Sequence, residues 1–215
     1  MDAIAESAIA TTRLMSADEF GRLHENDRVE LVNGVVEELS VSWNKHGSIC
    51  NLLAFFLTEH VRKNDLGRVM TNDSFIRTRT DPDTIRGPDV SYYSYERLPK
   101  GPVPDGLLPN IPDLVVEVRS PSDRWSKVTL KALEYLEAGV RVAIVLDSAT
   151  ATACIYRADE IHHFRQRRRP CSARHPARVC GPRPAVVFGL DGSHYSFDTP
   201  VESRCSLAFF LCKLQ

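Results

Sequence analysis

The sequence predicts an α/β domain, and three stretches carry that prediction. Pro112–Asp147 reads as strand, turn, helix and strand, at the length of a βαβ unit whose strands run parallel. Arg28–Leu39 reads as two alternating strands around Asn33-Gly34, the favoured type I′ hairpin turn. Trp43–Asn64 places Ile49, Leu52, Leu53, Phe56 and Val61 at the 3.6-residue spacing of a helix that packs on a sheet.

Taken in order, residues 1–13 form a loose leader, and Ser16-Ala-Asp-Glu19 is a capping box that opens a short helix to about His24. The hairpin follows, with Val29 and Leu31 on one face and Glu30 and Val32 on the other. A solvated position is the ordinary reading of Glu30. In the long helix His46 occupies the first turn, where a histidine by itself is usually a surface residue. Arg68–Arg79 reads as a strand or strand pair bent near Asn72-Asp73, and Thr80–Thr84 as a turn. After Gly87-Pro88, Asp89 begins the strand Val90–Tyr93. Tyr95–Leu98 suits one helical turn. Pro99–Pro112 is a long Pro/Gly loop, either a substrate-contacting arm or a linker.

Leu114–Val118 is β-branched and suited to a strand buried on both faces, yet it contains Glu117. A carboxylate there is costly unless something pairs with it or coordinates it. Ser120-Pro-Ser-Asp123 breaks the strand, and Ser122 or Asp123 can cap a helix from Arg124 to Ala138 that stops at Gly139. Val140–Asp147 is a second apolar strand, and Ala151–Arg157 supplies one more. From Ile161 to Leu190 there is neither an acidic residue nor a lysine, and no periodicity survives. The expected division is a leader at 1–13, a domain at 14–164 and an atypical Arg/Pro/Cys-rich tail at 165–215. For that tail we weigh disorder or degenerate sequence, a phosphate-contacting basic arm at Arg165–Arg169, and a zinc set from Cys171, His175, Cys180 and Cys205. The spacing of that set matches no familiar site.

The bulk numbers exclude several classes. With 27 basic and 28 acidic residues the formal net charge is −1, so a polyanion partner would need a local site. No apolar run approaches the length of a membrane span, and the N-terminus lacks the n- and h-regions of a secretory signal, so a cytoplasmic protein without membrane association is expected. The six cysteines follow no CxxC spacing, which suits a reduced compartment without structural disulfides.

Asp89 and Glu117 are the pair that could carry chemistry. If their strands are neighbours, both carboxylates can converge on one Mg²⁺ or Mn²⁺, ions that prefer hard oxygen ligands. Such an ion can hold a phosphate oxygen and acidify an attacking water. Two cations are candidates to assist. Arg119 lies two residues past Glu117 and so on the same strand face. Lys131 flanks the sheet-facing stripe of Val128, Ala132, Tyr135 and Leu136, from which an ammonium can reach the strand ends. The plainer reading of Lys131 is a helix lysine near Glu134 or Glu137.

These residues resemble a known family. Pro88-Asp89 with Glu117-Val-Arg119 resembles the PD-(D/E)XK nuclease superfamily. Glu30-Leu-Val-Asn-Gly34, His46, the stretch Pro112–Asp123, the spacing of Lys131, Tyr135 and Gly139-Val140, and Asp147 are similar to the Uma family of restriction-endonuclease-like proteins. The resemblance covers roughly residues 14–157. It implies a restriction-endonuclease-like fold, a mixed central sheet flanked by helices, with metal at Asp89 and Glu117 and a further acid from Glu30. The chain departs from the pattern at two places. The lysine position of the nuclease motif holds Arg119, which cannot act as a general base, so the resemblance implies that the lysine has moved to Lys131. The Leu-Pro-Gly-Phe-type ending of the family is also absent.

The function expected is a Mg²⁺- or Mn²⁺-dependent endonuclease that hydrolyses DNA. In it Asp89 and Glu117 hold metal, Lys131 orients water or stabilises charge, Glu30 assists, His46 lies near the scissile phosphate and Arg119 contacts substrate. A homodimer would supply the two sites that double-strand cleavage needs. The alternatives are a catalytically inactive nucleic-acid-binding or interaction protein on the same fold, and an enzyme acting on small phosphate esters.

Overall fold

The computed structural model describes residues 13–165. In chain order the elements are α1 (Ala17–Leu23), β1 (Val29–Val32), β2 (Val35–Glu38), α2 (Asn44–Lys63), β3 (Gly67–Thr71), β4 (Ile76–Arg79) and β5 (Thr84–Arg86). These are followed by β6 (Val90–Ser94), β7 (Leu114–Arg119), α3 (Trp125–Glu137), β8 (Val142–Asp147), β9 (Thr152–Tyr156) and β10 (Ile161–Arg165). The strands form two sheets, one in the order β2-β1-β5-β4 and a larger one in the order β10-β9-β8-β7-β6-β3.

The apolar run of β7 is explained by its place in the middle of the large sheet, with a helix on each face. Leu114, Val116 and Val118 pack with Ile49, Leu53, Leu57 and Val61 of α2. Val115, on the opposite face, packs with Val128, Ala132 and Tyr135 of α3. Strand alternation therefore sends the side chain of Glu117 toward α3. β7 pairs with β8 in parallel, as the βαβ reading requires, and with β6 antiparallel. The small sheet has its own core of Phe20, Val29, Leu31 and Ile85. Ile76 of β4 joins the α3 cluster and brings the small sheet against that helix.

Several local expectations meet the structure closely. Asn33 and Gly34 both have positive φ, 49° and 76°, as a type I′ turn demands. Gly139, at φ 102°, ends α3.

Other expectations are corrected. Residues 68–79 do form two strands, but β3 belongs to the large sheet and β4 to the small one, because Gly67–Thr71 pairs with β6 whereas Ile76–Arg79 pairs with β5. Thr84 is not part of a turn; it begins β5, whose three residues are all buried between β1 and β4. A strand so short carries no readable alternation. The capping box of α1 forms only half: Ser16 Oγ accepts from the Glu19 N–H at 3.2 Å, while the Glu19 carboxylate turns to Arg13 at 3.1 Å. α3 has Arg124 at its N-cap and no side-chain cap, since Asp123 instead accepts the N–H of Ser120 at 2.9 Å. β10 arises where no periodicity was legible, by antiparallel pairing with β9. The basic run and the cysteines beyond Arg165 lie outside the described residues, as do residues 1–12 of the leader.

Candidate active site

The site grows from the antiparallel pairing of β6 with β7. The register Val90↔Val116, carried one residue back, sets Asp89 across from Glu117. Asp89 Oδ2 accepts the backbone N–H of Val118 at 2.6 Å, and its Oδ1 lies 3.3 Å from His46 Nε2. The loop Pro99–Pro112 separates the two acids in sequence; strand pairing removes that separation in space.

α3 brings the cation. Lys131 Nζ lies 2.8 Å from Glu30 Oε1 and 3.0 Å from Glu117 Oε1. It is thus the bridge between the hairpin of the small sheet and the central strand of the large one. The reading of Lys131 as a neighbour of Glu134 or Glu137 does not apply: Glu134 is taken by Arg86, and Glu137 lies beside Arg79. Glu30 is not solvated. It is buried, and it accepts from the Gly87 N–H at 2.9 Å and from Arg86 Nη1 at 3.0 Å. Gly87 comes so close to the chain that a Cβ there would stand 2.8 Å from the Asp73 carbonyl.

The side chains form a gradient of exposure. Glu30 is 4 % exposed, whereas Asp89, Glu117, His46 and Lys131 lie between 12 % and 16 %. Four groups thus border solvent and Glu30 stands behind them. Arg119, on the same strand face as Glu117, is held by Asp147 at 3.1 Å and by the Asp123 carbonyl at 3.1 Å, and it lies over the Trp125 ring.

The electrostatics follow from this crowding. Burial pushes the Glu117 carboxyl up to about 7; Lys131 opposes the rise, and the charges of Asp89 and Glu30 add to it. Burial alone would lower the Lys131 ammonium, but Glu117 and Glu30 more than reverse that, so it is held charged. The Glu30 carboxyl, despite burial, is held below its usual range by Lys131, Arg86 and the Gly87 N–H. His46 is raised to about 10, chiefly by its bond to Asp89 and then by Cys50. It is therefore an imidazolium at neutral pH.

Three participants were not anticipated. Tyr135 donates its hydroxyl to Glu117 Oε1 at 2.8 Å. Arg86 joins Glu30 to Glu134, and Cys50 Sγ lies 3.5 Å from His46 Nδ1. Tyr135 reads as core on a helical wheel, and its signal was its place in the family spacing with Lys131. Cys50 reads as an apolar helix residue, and its signal was its position one turn after His46. Adjacency to Gly87-Pro88-Asp89 was the one available hint for Arg86. Among the described residues, the group of three metal-ligating side chains with ligand atoms close together is His46, Cys50 and Asp89, not a set that contains Glu117.

A mixed central sheet with a helix on either face and two acids on adjacent strands defines an α/β protein of the restriction-endonuclease-like class. The chain belongs to the Uma2 family, described as "Putative restriction endonuclease", whose model matches residues 17–176. It is also similar to a solved structure described as "a putative nuclease belonging to DUF820 from Anabaena variabilis ATCC 29413". That likeness has a TM-score of 0.63 and 23 % identity, and it covers 71 % of this chain and 85 % of the other. At that identity it speaks for the fold. No curated protein matches the chain. No helix among the described residues is long and apolar enough to cross a membrane.

Proposed function

We propose that the protein is a divalent-metal-dependent endonuclease that hydrolyses DNA phosphodiester bonds. The observation that carries this reading is the ammonium of Lys131 set between Glu30 and Glu117, with Asp89 across the ladder. Membership of a restriction-endonuclease family supports it.

The donor set fits a hard cation such as Mg²⁺ or Mn²⁺. Asp89 and Glu117 offer carboxylate oxygens at the solvent border, and their mutual repulsion, which raises Glu117, would be relieved by an ion between them. When bound, the ion would polarise a phosphate oxygen and acidify the attacking water. The chain's own groups do the rest. Lys131, always charged here, orients water and offsets charge that develops on the phosphoryl oxygens. The His46 imidazolium faces the same border and draws in the scissile phosphate. Glu30 is sealed from solvent and acts as a positioning residue that holds Lys131 in place. Arg119 uses Nε and Nη1 within the chain. A guanidinium has five donors, so it retains others for a backbone phosphate.

The test is cleavage of supercoiled plasmid by the full chain with Mg²⁺ or Mn²⁺, beside Asp89→Asn and Lys131→Ala. Nicking or linearisation by the wild type, lost in both variants, supports the reading. Cleavage that survives both substitutions overturns it. No cleavage, with DNA retained in a low-salt shift assay, transfers the protein to the inactive nucleic-acid-binding class. Turnover of small phosphodiesters without salt-dependent DNA affinity would indicate an esterase instead.

A further inference from the structure

We propose that His46, Cys50 and Asp89 form a binding site for a borderline-soft divalent cation of the zinc class, and that its occupancy excludes the hard cation from Asp89. The exclusion rests on the endonuclease reading; the site itself does not.

His46 and Cys50 are four residues apart on α2, which puts them on one face of the helix. Asp89 enters from the start of β6. With one ring nitrogen taken for the imidazole, the three ligand atoms all lie within 4.8 Å of one another. His46 Nε2 and Asp89 Oδ1 are 3.3 Å apart. Zinc bonds of about 2.0–2.1 Å to nitrogen and oxygen, at a tetrahedral angle, set a ligand–ligand edge of roughly that length. Three protein ligands leave a fourth position for water, and the thiolate selects zinc-like ions over Mg²⁺. On binding, the Cys50 S–H bond and one N–H bond of the His46 imidazolium break; both electron pairs go to the metal and two protons leave to solvent.

Asp89 is the shared group. Its Oδ2 already accepts the Val118 N–H at 2.6 Å, so Oδ1, the oxygen that faces His46, is the freer one for either ion. An ion held by His46 and Cys50 therefore leaves Glu117 without its partner ligand.

Co²⁺ titrated into the full chain, free of Mg²⁺, tests the site. We expect a near-ultraviolet thiolate-to-cobalt charge-transfer band that saturates at one equivalent and is lost when zinc is added. Cys50→Ser should abolish the band, and His46→Gln should weaken cobalt binding by about tenfold or more. Absence of the band in the wild type, or its persistence in Cys50→Ser, overturns the site. Mn²⁺ uptake read by electron paramagnetic resonance tests the exclusion. One equivalent of zinc should suppress uptake in the wild type and do so far less in Cys50→Ser. Equal Mn²⁺ uptake with and without zinc overturns the exclusion. No Mn²⁺ uptake by zinc-free protein overturns both the exclusion and the endonuclease reading, while the cobalt band still decides the site.

Discussion

Asp89 accepts the backbone N–H of Val118 at 2.6 Å, which ties the acid at the start of β6 to the residue that follows Glu117. The bond pins the Asp89 carboxylate to the backbone of β7 beside Glu117. It also means that Asp89 has both a structural and an electrostatic part to play.

These two parts can be separated with Asp89→Asn. The amide oxygen can still accept from Val118, so the melting temperature should fall by only a few degrees. Plasmid cleavage should drop about 100-fold or more, because the charge at the site is gone. Loss of the native near-ultraviolet circular dichroism would instead mean that the charge itself holds the strand ends together.

Removal of Lys131 leaves Glu30 and Glu117 facing each other without a cation. Lys131→Met should destabilise the protein by about 3–5 kcal/mol, read as a lower urea midpoint with unchanged slope. Adding Glu30→Gln should recover part of that stability without restoring cleavage. Strict additivity of the two substitutions would refute the coupling inferred from the 2.8 Å contact.

Arg86 is the buried strut behind the site. Its fork meets Glu134 at 2.9 and 2.6 Å, while Nη1 meets Glu30 at 3.0 Å. Lysine cannot reproduce that planar geometry. Arg86→Lys should cost about 3 kcal/mol in urea unfolding and lower cleavage through misplacement of Lys131. A variant as stable as the wild type would contradict this role.

Acid stability should report on Asp83. Burial alone would raise its carboxyl, but the Ala17 N–H at 2.6 Å and Arg77 at 2.6 Å bring it below the usual value of 3.8. A depressed carboxyl contributes stability above its unfolded value, and that stability is lost as pH falls through the folded value. Asp83→Asn should therefore lower stability at pH 7 and flatten its decline below about pH 4. Parallel pH–stability curves for the two proteins would rule Asp83 out as a source of acid sensitivity.

Zinc-class ions should inhibit metal-dependent cleavage more strongly in the wild type than in Cys50→Ser, with chelation restoring activity. Equal inhibition of both proteins would place the inhibitory ion elsewhere.

The sequence alone determined the parts that depend on neighbours in the chain. Asn33-Gly34 dictates its turn through positive φ, the spacing from Ile49 to Val61 dictates α2, and the β-branched run at 114–118 dictates a strand covered on both faces. The anomaly of a carboxylate in that run also marked Glu117, because an unpaired buried charge is too costly to be incidental. Helical spacing brought Lys131 to the edge of the sheet-facing stripe. Only the tertiary structure decided which charges meet. β5 is too short to read, yet its pairing with β1 turns Glu30 inward onto Gly87 and Arg86. Tyr135 looks apolar in its helix and becomes a polar partner only when β7 arrives beside it. Long-range pairing sets those contacts, and a pairing between distant strands leaves no periodic signature in either one.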